Sequence, residues 1–73
     1  MKTLLIVEDE RRLRESLVLD AKNSADGWTV HDAENLASAR ALLNAKHVDA
    51  MFVDLGLPDG DGFELIRLCR QLN

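Results

Sequence analysis

Leu4-Leu5-Ile6-Val7-Glu8-Asp9-Glu10 is an unbroken apolar run that stops abruptly on three acids. A short continuous run of this kind, β-branched at its end, suits a strand buried on both faces, as in a parallel sheet. The period then changes. From Glu10 to Asn23, Leu13, Leu17 and Ala21 recur at four-residue steps with Val18 beside them, and Arg11, Arg12, Arg14 and Glu15 fall on the other face. That pattern predicts an amphipathic helix, closed by the turn chemistry of Asp26-Gly27.

The alternation repeats twice more downstream. Trp28-Thr29-Val30-His31 reads as a second, weaker strand, and Asp32 to Asn35 leads into a second helix with Asn35 as its expected N-cap. Leu36, Ala39, Leu42 and Leu43 form the apolar stripe of that helix. Val48 and then Ala50-Met51-Phe52-Val53 give the strongest strand signal, which again ends on an acid, Asp54. Leu55 to Gly62, with three glycines and the only proline, reads as a loop. Asp61 and Glu64 have capping-box spacing before a third helix bearing Phe63, Ile66 and Cys69, with Leu65, Leu68 and Leu72 close by. The order is β-α-β-α-β-α, and the spacing of the strands suits helical crossovers between parallel strands, with helices on both faces.

A chain of 73 residues makes one small domain. With 47% hydrophobic and 30% charged residues it has the composition of a globular protein, not a disordered one. The net charge of −4, with no clustered basic face, argues against nucleic acid as a direct partner. Cys69 is the single cysteine, so neither an internal disulfide nor a cysteine metal site is available. The apolar start is too short for a signal-peptide core and no stretch approaches a membrane span, so a cytoplasmic location is expected.

In an open parallel sheet, ligands gather beyond the carboxyl ends of the strands. If the first and third strands are neighbours, Glu8, Asp9 and Asp54 meet there. Three close carboxylates repel unless one holds a proton or a cation joins them. Oxygen donors of this kind suit Mg²⁺ or Mn²⁺. His31 and His47 have no metal-ligand spacing, and Asp59-Gly60-Asp61-Gly62 does not complete a calcium-loop pattern. No nucleotide-binding glycine motif is present, and Ser16, Ser24 and Ser38 lack a histidine partner in sequence context. Trp28 is expected to pack at the helix-to-strand corner, and Asp49 to be a turn residue.

Leu4 to Glu10 with the helix that follows resembles the opening of a response-regulator receiver domain. Phe52-Val53-Asp54-Leu55-Gly56-Leu57-Pro58-Asp59-Gly60-Asp61-Gly62-Phe63-Glu64-Leu65 resembles the segment around that family's phosphoacceptor. The resemblance covers the whole chain. It implies a flavodoxin-like, doubly wound α/β fold in which these residues form a three-stranded parallel sheet of order 2-1-3. It also implies that Glu8 and Asp9 hold Mg²⁺, that Asp54 accepts a phosphoryl group from a sensor histidine kinase, and that the Gly56 carbonyl completes the metal ligands. Pro58 and Gly62 correspond to residues that shape the loop. Gly56 is expected to be glycine because its backbone approaches the ion.

On this resemblance, residues 1–73 correspond to the first three βα units of the family's five, a truncated receiver. The family's hydroxyl residue and its phosphoryl-contacting lysine follow later strands, so the isolated half is expected to phosphorylate weakly. Self-phosphorylation, rather than enzymatic turnover of a substrate, is expected only of an intact receiver. Strand three would then be an open edge, and a homodimer formed through it is expected. Two alternatives stand beside the phosphoacceptor reading: a self-associating structural fragment without phosphotransfer, and a carboxylate–Mg²⁺ phosphohydrolase. The second lacks its D-x-D-x-[TV] pattern, since Leu57 and Pro58 follow Gly56.

Overall fold

The computed structural model describes residues 2–24 and 26–72. Strand β1 (Lys2–Val7) leads to helix α1 (Arg11–Ser24), β2 (Trp28–Ala33) to α2 (Leu36–Ala45), and β3 (Ala50–Val53) to a short hairpin, β4 (Gly56–Leu57) and β5 (Gly60–Asp61); α3 (Phe63–Leu72) follows. The three long strands form one sheet in the order β2-β1-β3, with both pairings parallel. This is the α/β architecture and strand order expected from the sequence.

Parallel register decides which residues share a face. Leu5 lies between His31 and Met51, and Val7 between Ala33 and Val53; alternation along the strands then puts Ile6, Asp32 and Phe52 on the opposite side. Leu5, Val7, Ala33, Leu36, Ala39, Leu43, Val48, Leu57 and Leu65 form one buried core, with Met51, Val53, Leu68 and Cys69 packed against it. Helices α2 and α3 therefore cover the Leu5–Val7 face. Helix α1 covers the other, where its Arg14 pairs with Asp32.

The helix stops and starts follow local chemistry. Asn35 caps α2 as expected: its side chain accepts from the Ser38 N–H and the Ser38 hydroxyl accepts from the Asn35 N–H. Gly27, past the end of α1, adopts φ +81°, a backbone state that glycine alone takes up without strain. At the start of α1, the Glu10 carboxylate accepts from the Leu13 N–H at 2.6 Å.

Four sequence expectations are corrected. The 55–62 segment is not an open loop: β4 and β5 pair antiparallel, Gly56 opposite Asp61 and Leu57 opposite Gly60, and Leu57 is pulled into the core. The Asp61–Glu64 capping box does not form. Asp61 instead accepts from the Phe63 N–H at 2.9 Å, and Glu64 is drawn across to Arg40 on α2 at 3.1 Å. No residue of α1 is buried; its leucine stripe meets only one side of a narrow sheet. Arg14 does not face solvent with Arg11 and Arg12: its side chain is 13% exposed and turned onto the sheet.

Candidate functional site

The site is built by the ends of β1 and β3. Val7 and Val53 are paired across the parallel ladder, so the next residues, Glu8 and Asp54, emerge side by side. Two backbone bonds hold them there: the Glu8 N–H donates to the Ala33 carbonyl at 3.0 Å, and the Asp54 N–H donates to the Val7 carbonyl at 2.9 Å. Glu8, Asp9 and Asp54 each offer a carboxylate oxygen within 4.8 Å of the others. The structure thus gathers all three acids singled out in the sequence.

Their electrostatics differ. Glu8 is only 6% exposed, and burial, the largest influence, raises its pKa above the ordinary carboxylate value. The Glu10 N–H, 3.1 Å from Glu8 Oε2, partly opposes that, while hydrogen bonds to Asp9 and Asp54 push the same way as burial. Asp54 moves in the opposite direction, chiefly because the Gly56 N–H donates to its Oδ1 at 3.0 Å and also because Glu8 hydrogen-bonds to it. Crowded acids separate in this way when one retains a proton for the other. Of this pair, Glu8 is the more readily protonated and Asp54 the more readily ionised.

The donor set fits a hard divalent cation. Adjacent oxygens of a Mg²⁺ octahedron lie about 3 Å apart and opposed ones about 4.2 Å, so carboxylate oxygens within 4.8 Å of one another lie near the span of a single ion's ligands. No other group of histidine, cysteine and acidic side chains among the described residues has this convergence. His47 is an exposed partner of Asp49, and His31 sits within β2 opposite Leu5. Asp49 lies at the other end of β3 and accepts from the Thr3 N–H at 2.7 Å; that bond, and then His47, lower its pKa.

Protein packing demands glycine at 62 and leaves space at 56. A Cβ on Gly62 would lie 2.7 Å from the Asp54 carbonyl oxygen and 2.7 Å from Val53 Cγ1; on Gly56 it would meet nothing nearer than Asp54 Oδ1 at 3.8 Å. Protein packing alone therefore leaves room for a side chain at 56. The crowding lies where α3 begins against the end of β3.

Two residues near the site escaped the sequence reading. Asp59, in the hairpin turn, accepts from the Leu36 N–H at 2.7 Å and the Ala37 N–H at 3.0 Å, tying the segment after Asp54 to the start of α2. Those donors lower its pKa. The other is Arg14. Neither carries a sequence signal, because each acts on backbone that only the tertiary fold brings near.

A family model for the response regulator receiver domain matches residues 4–73. The KDP operon transcriptional regulatory protein KdpE of Escherichia coli (strain K12) is 47% identical over 73 residues, covering 97% of this chain and 31% of KdpE. The transcriptional regulatory protein PhoP of the same organism is 43% identical over 67 residues, covering 92% of this chain and 29% of PhoP. The chain thus spans less than a third of the length of these curated relatives. A solved sensor protein from Polaromonas sp. JS666 superposes with a TM-score of 0.81 at 33% identity, over 96% of this chain and 54% of that one. The acidic corner, the 2-1-3 sheet and a sequence match that omits only the first three residues have a common explanation: the chain belongs to the response regulator receiver domain family.

Proposed function

We propose that Asp54 accepts a phosphoryl group from the phosphohistidine of a sensor histidine kinase, in the cytoplasm, with Mg²⁺ or Mn²⁺ held by Glu8, Asp9, Asp54 and the Gly56 carbonyl. The convergence of three carboxylates within 4.8 Å carries this reading. Asp54 is suited to attack because the Gly56 N–H favours its anionic form. A carboxylate oxygen forms the new P–O bond as the P–N bond breaks, and the electron pair returns to the imidazole. The ion, when bound, supplies the positive charge that screens carboxylate from phosphoryl oxygens. The added charge, about −1.5 to −2, arises beside a hairpin already tied to α2 through Asp59. The relatives are named transcriptional regulatory proteins, and control of transcription is the corresponding output proposed for this receiver.

The test is incubation with acetyl phosphate, with and without Mg²⁺, read by intact mass. A Mg²⁺-dependent phosphoryl adduct that disappears in Asp54→Asn is the expected result, at low yield from these 73 residues alone. An adduct that persists in Asp54→Asn, or titration calorimetry showing no Mg²⁺ or Mn²⁺ binding, would refute the reading.

A second reading, self-association without phosphotransfer, draws on one observation. Phe52 is 48% exposed on β3, which is paired with β1 alone among the described strands. Pairing of β3 with its symmetry mate would cover it. Sedimentation of a folded monomer at micromolar concentration would exclude that.

A further inference from the structure

We infer that Arg14 is the positioning residue of the acidic corner: its guanidinium fork fixes the Glu8 backbone against β2 and so aims the Glu8 carboxylate. This rests on the reading of the acids as a cation site and extends it to a residue outside the ligand set.

A ladder bond is missing just past the end of β1. The Glu8 N–H continues the β1–β2 pairing by donating to Ala33. The next bond of a parallel ladder would bring the Asn35 N–H to the Glu8 carbonyl. That N–H is committed elsewhere, to the Ser38 hydroxyl at 3.4 Å, where it closes the cap of α2. The Glu8 carbonyl, one residue past β1, is therefore deprived of its ladder partner. Arg14 Nη1 takes the place, donating at 3.0 Å, while Nε of the same fork donates to Asp32 Oδ2 at 3.1 Å. One planar group thus spans the end of β1 and the end of β2.

Its own anchor lies in the same corner. The Arg14 N–H donates to the Glu10 carbonyl at 2.9 Å, and the Glu10 N–H donates to Glu8 Oε2. The side chain that fixes the Glu8 backbone and the N–H that fixes the Glu8 carboxylate are therefore linked through Glu10. Residues that orient a metal ligand in this way commonly change affinity by about 10- to 100-fold when removed.

Charge alone makes the opposite prediction. Removing a cation beside three acids strengthens their attraction for Mg²⁺; losing a positioning fork weakens binding. Calorimetric Mg²⁺ titration of the 73-residue chain, with its Arg14→Gln and Arg14→Lys variants, separates the two, circular dichroism serving as the check on folding. Affinity reduced about tenfold in both variants supports the inference, since Arg14→Lys keeps the charge and loses the fork. Equal or tighter binding in either folded variant overturns it, and if Arg14→Gln fails to fold, Arg14→Lys decides. If the unmodified chain binds no Mg²⁺, the cation reading itself falls. Exchange of the Glu10 amide in metal-free protein then decides the role of Arg14: severalfold faster exchange in Arg14→Lys supports it, and unchanged exchange overturns it.

Discussion

The two faces of the sheet are finished differently. On the Leu5–Val7 face, α2, α3 and Leu57 of the hairpin close a core in which Leu5, Val7, Ala39 and Leu65 are all 0% exposed. On the Ile6–Phe52 face, α1 stands alone; Ile6 is covered, yet Phe52 and Leu13 stay about half exposed. Both faces carry apolar side chains from β1 and β3. What differs is the number of elements available to cover them. The site sits at the seam, with Asp54 continuing into the closed side through the hairpin and Glu8 gripped from the open side by Arg14. Stability and positioning are thereby divided between the faces.

The strongest way to test that division is Leu65→Ala. Emptying a fully buried leucine site costs about 2–5 kcal/mol, a large share of the stability of so small a domain, and urea denaturation should show the midpoint collapse. Gly62→Ala comes next. Its new Cβ must displace the end of β3, costing about 1–3 kcal/mol and lowering both melting temperature and Mg²⁺ affinity. Gly56→Ala should leave the melting temperature nearly unchanged, and a loss equal to that of Gly62→Ala would contradict the packing described.

Acid should loosen the closed side through Asp59. Its folded pKa lies below the usual carboxylate value because the Leu36 and Ala37 N–H groups favour the anion. The stabilisation is therefore complete above the unfolded pKa of about 3.9 and is lost as pH falls through the lower folded value. Melts recorded from about pH 6 to pH 2 should show a smaller acid-induced fall in Asp59→Asn than in the parent chain. The smallest effect belongs to the open face: Leu13→Ala should change stability by no more than about 0.5 kcal/mol. A loss comparable to that of Leu65→Ala in the same urea series would erase the contrast.

How much of this could be read from residues alone follows from the range of each interaction. The strands, the Asn35 cap and the Glu8–Asp9–Asp54 cluster rest on local pattern plus one topological rule, that strand ends carry the site. The β4–β5 hairpin was hidden because each of its strands is only two residues long and glycine-rich, with no alternation to detect. Glu64 looked like a cap because its spacing to Asp61 was right; its tertiary partner, Arg40, is invisible at that range. Arg14 falls on the polar side of the helical pattern, and its tertiary acceptors, the Glu8 carbonyl and Asp32, explain why it turns inward.

Parallel strands also give the molecule a chemically quiet pole. Trp28 opens β2 opposite Lys2, with the Lys2 ammonium 5.7 Å from its ring centroid. Five strand steps separate it from Ala33 at the acidic end, about 16 Å at the usual rise. The sole tryptophan is accordingly a clean optical gauge of unfolding and a poor witness to ligands. A fluorophore meant to sense phosphoryl chemistry belongs beside the hairpin, where its signal and the native indole emission can be recorded independently.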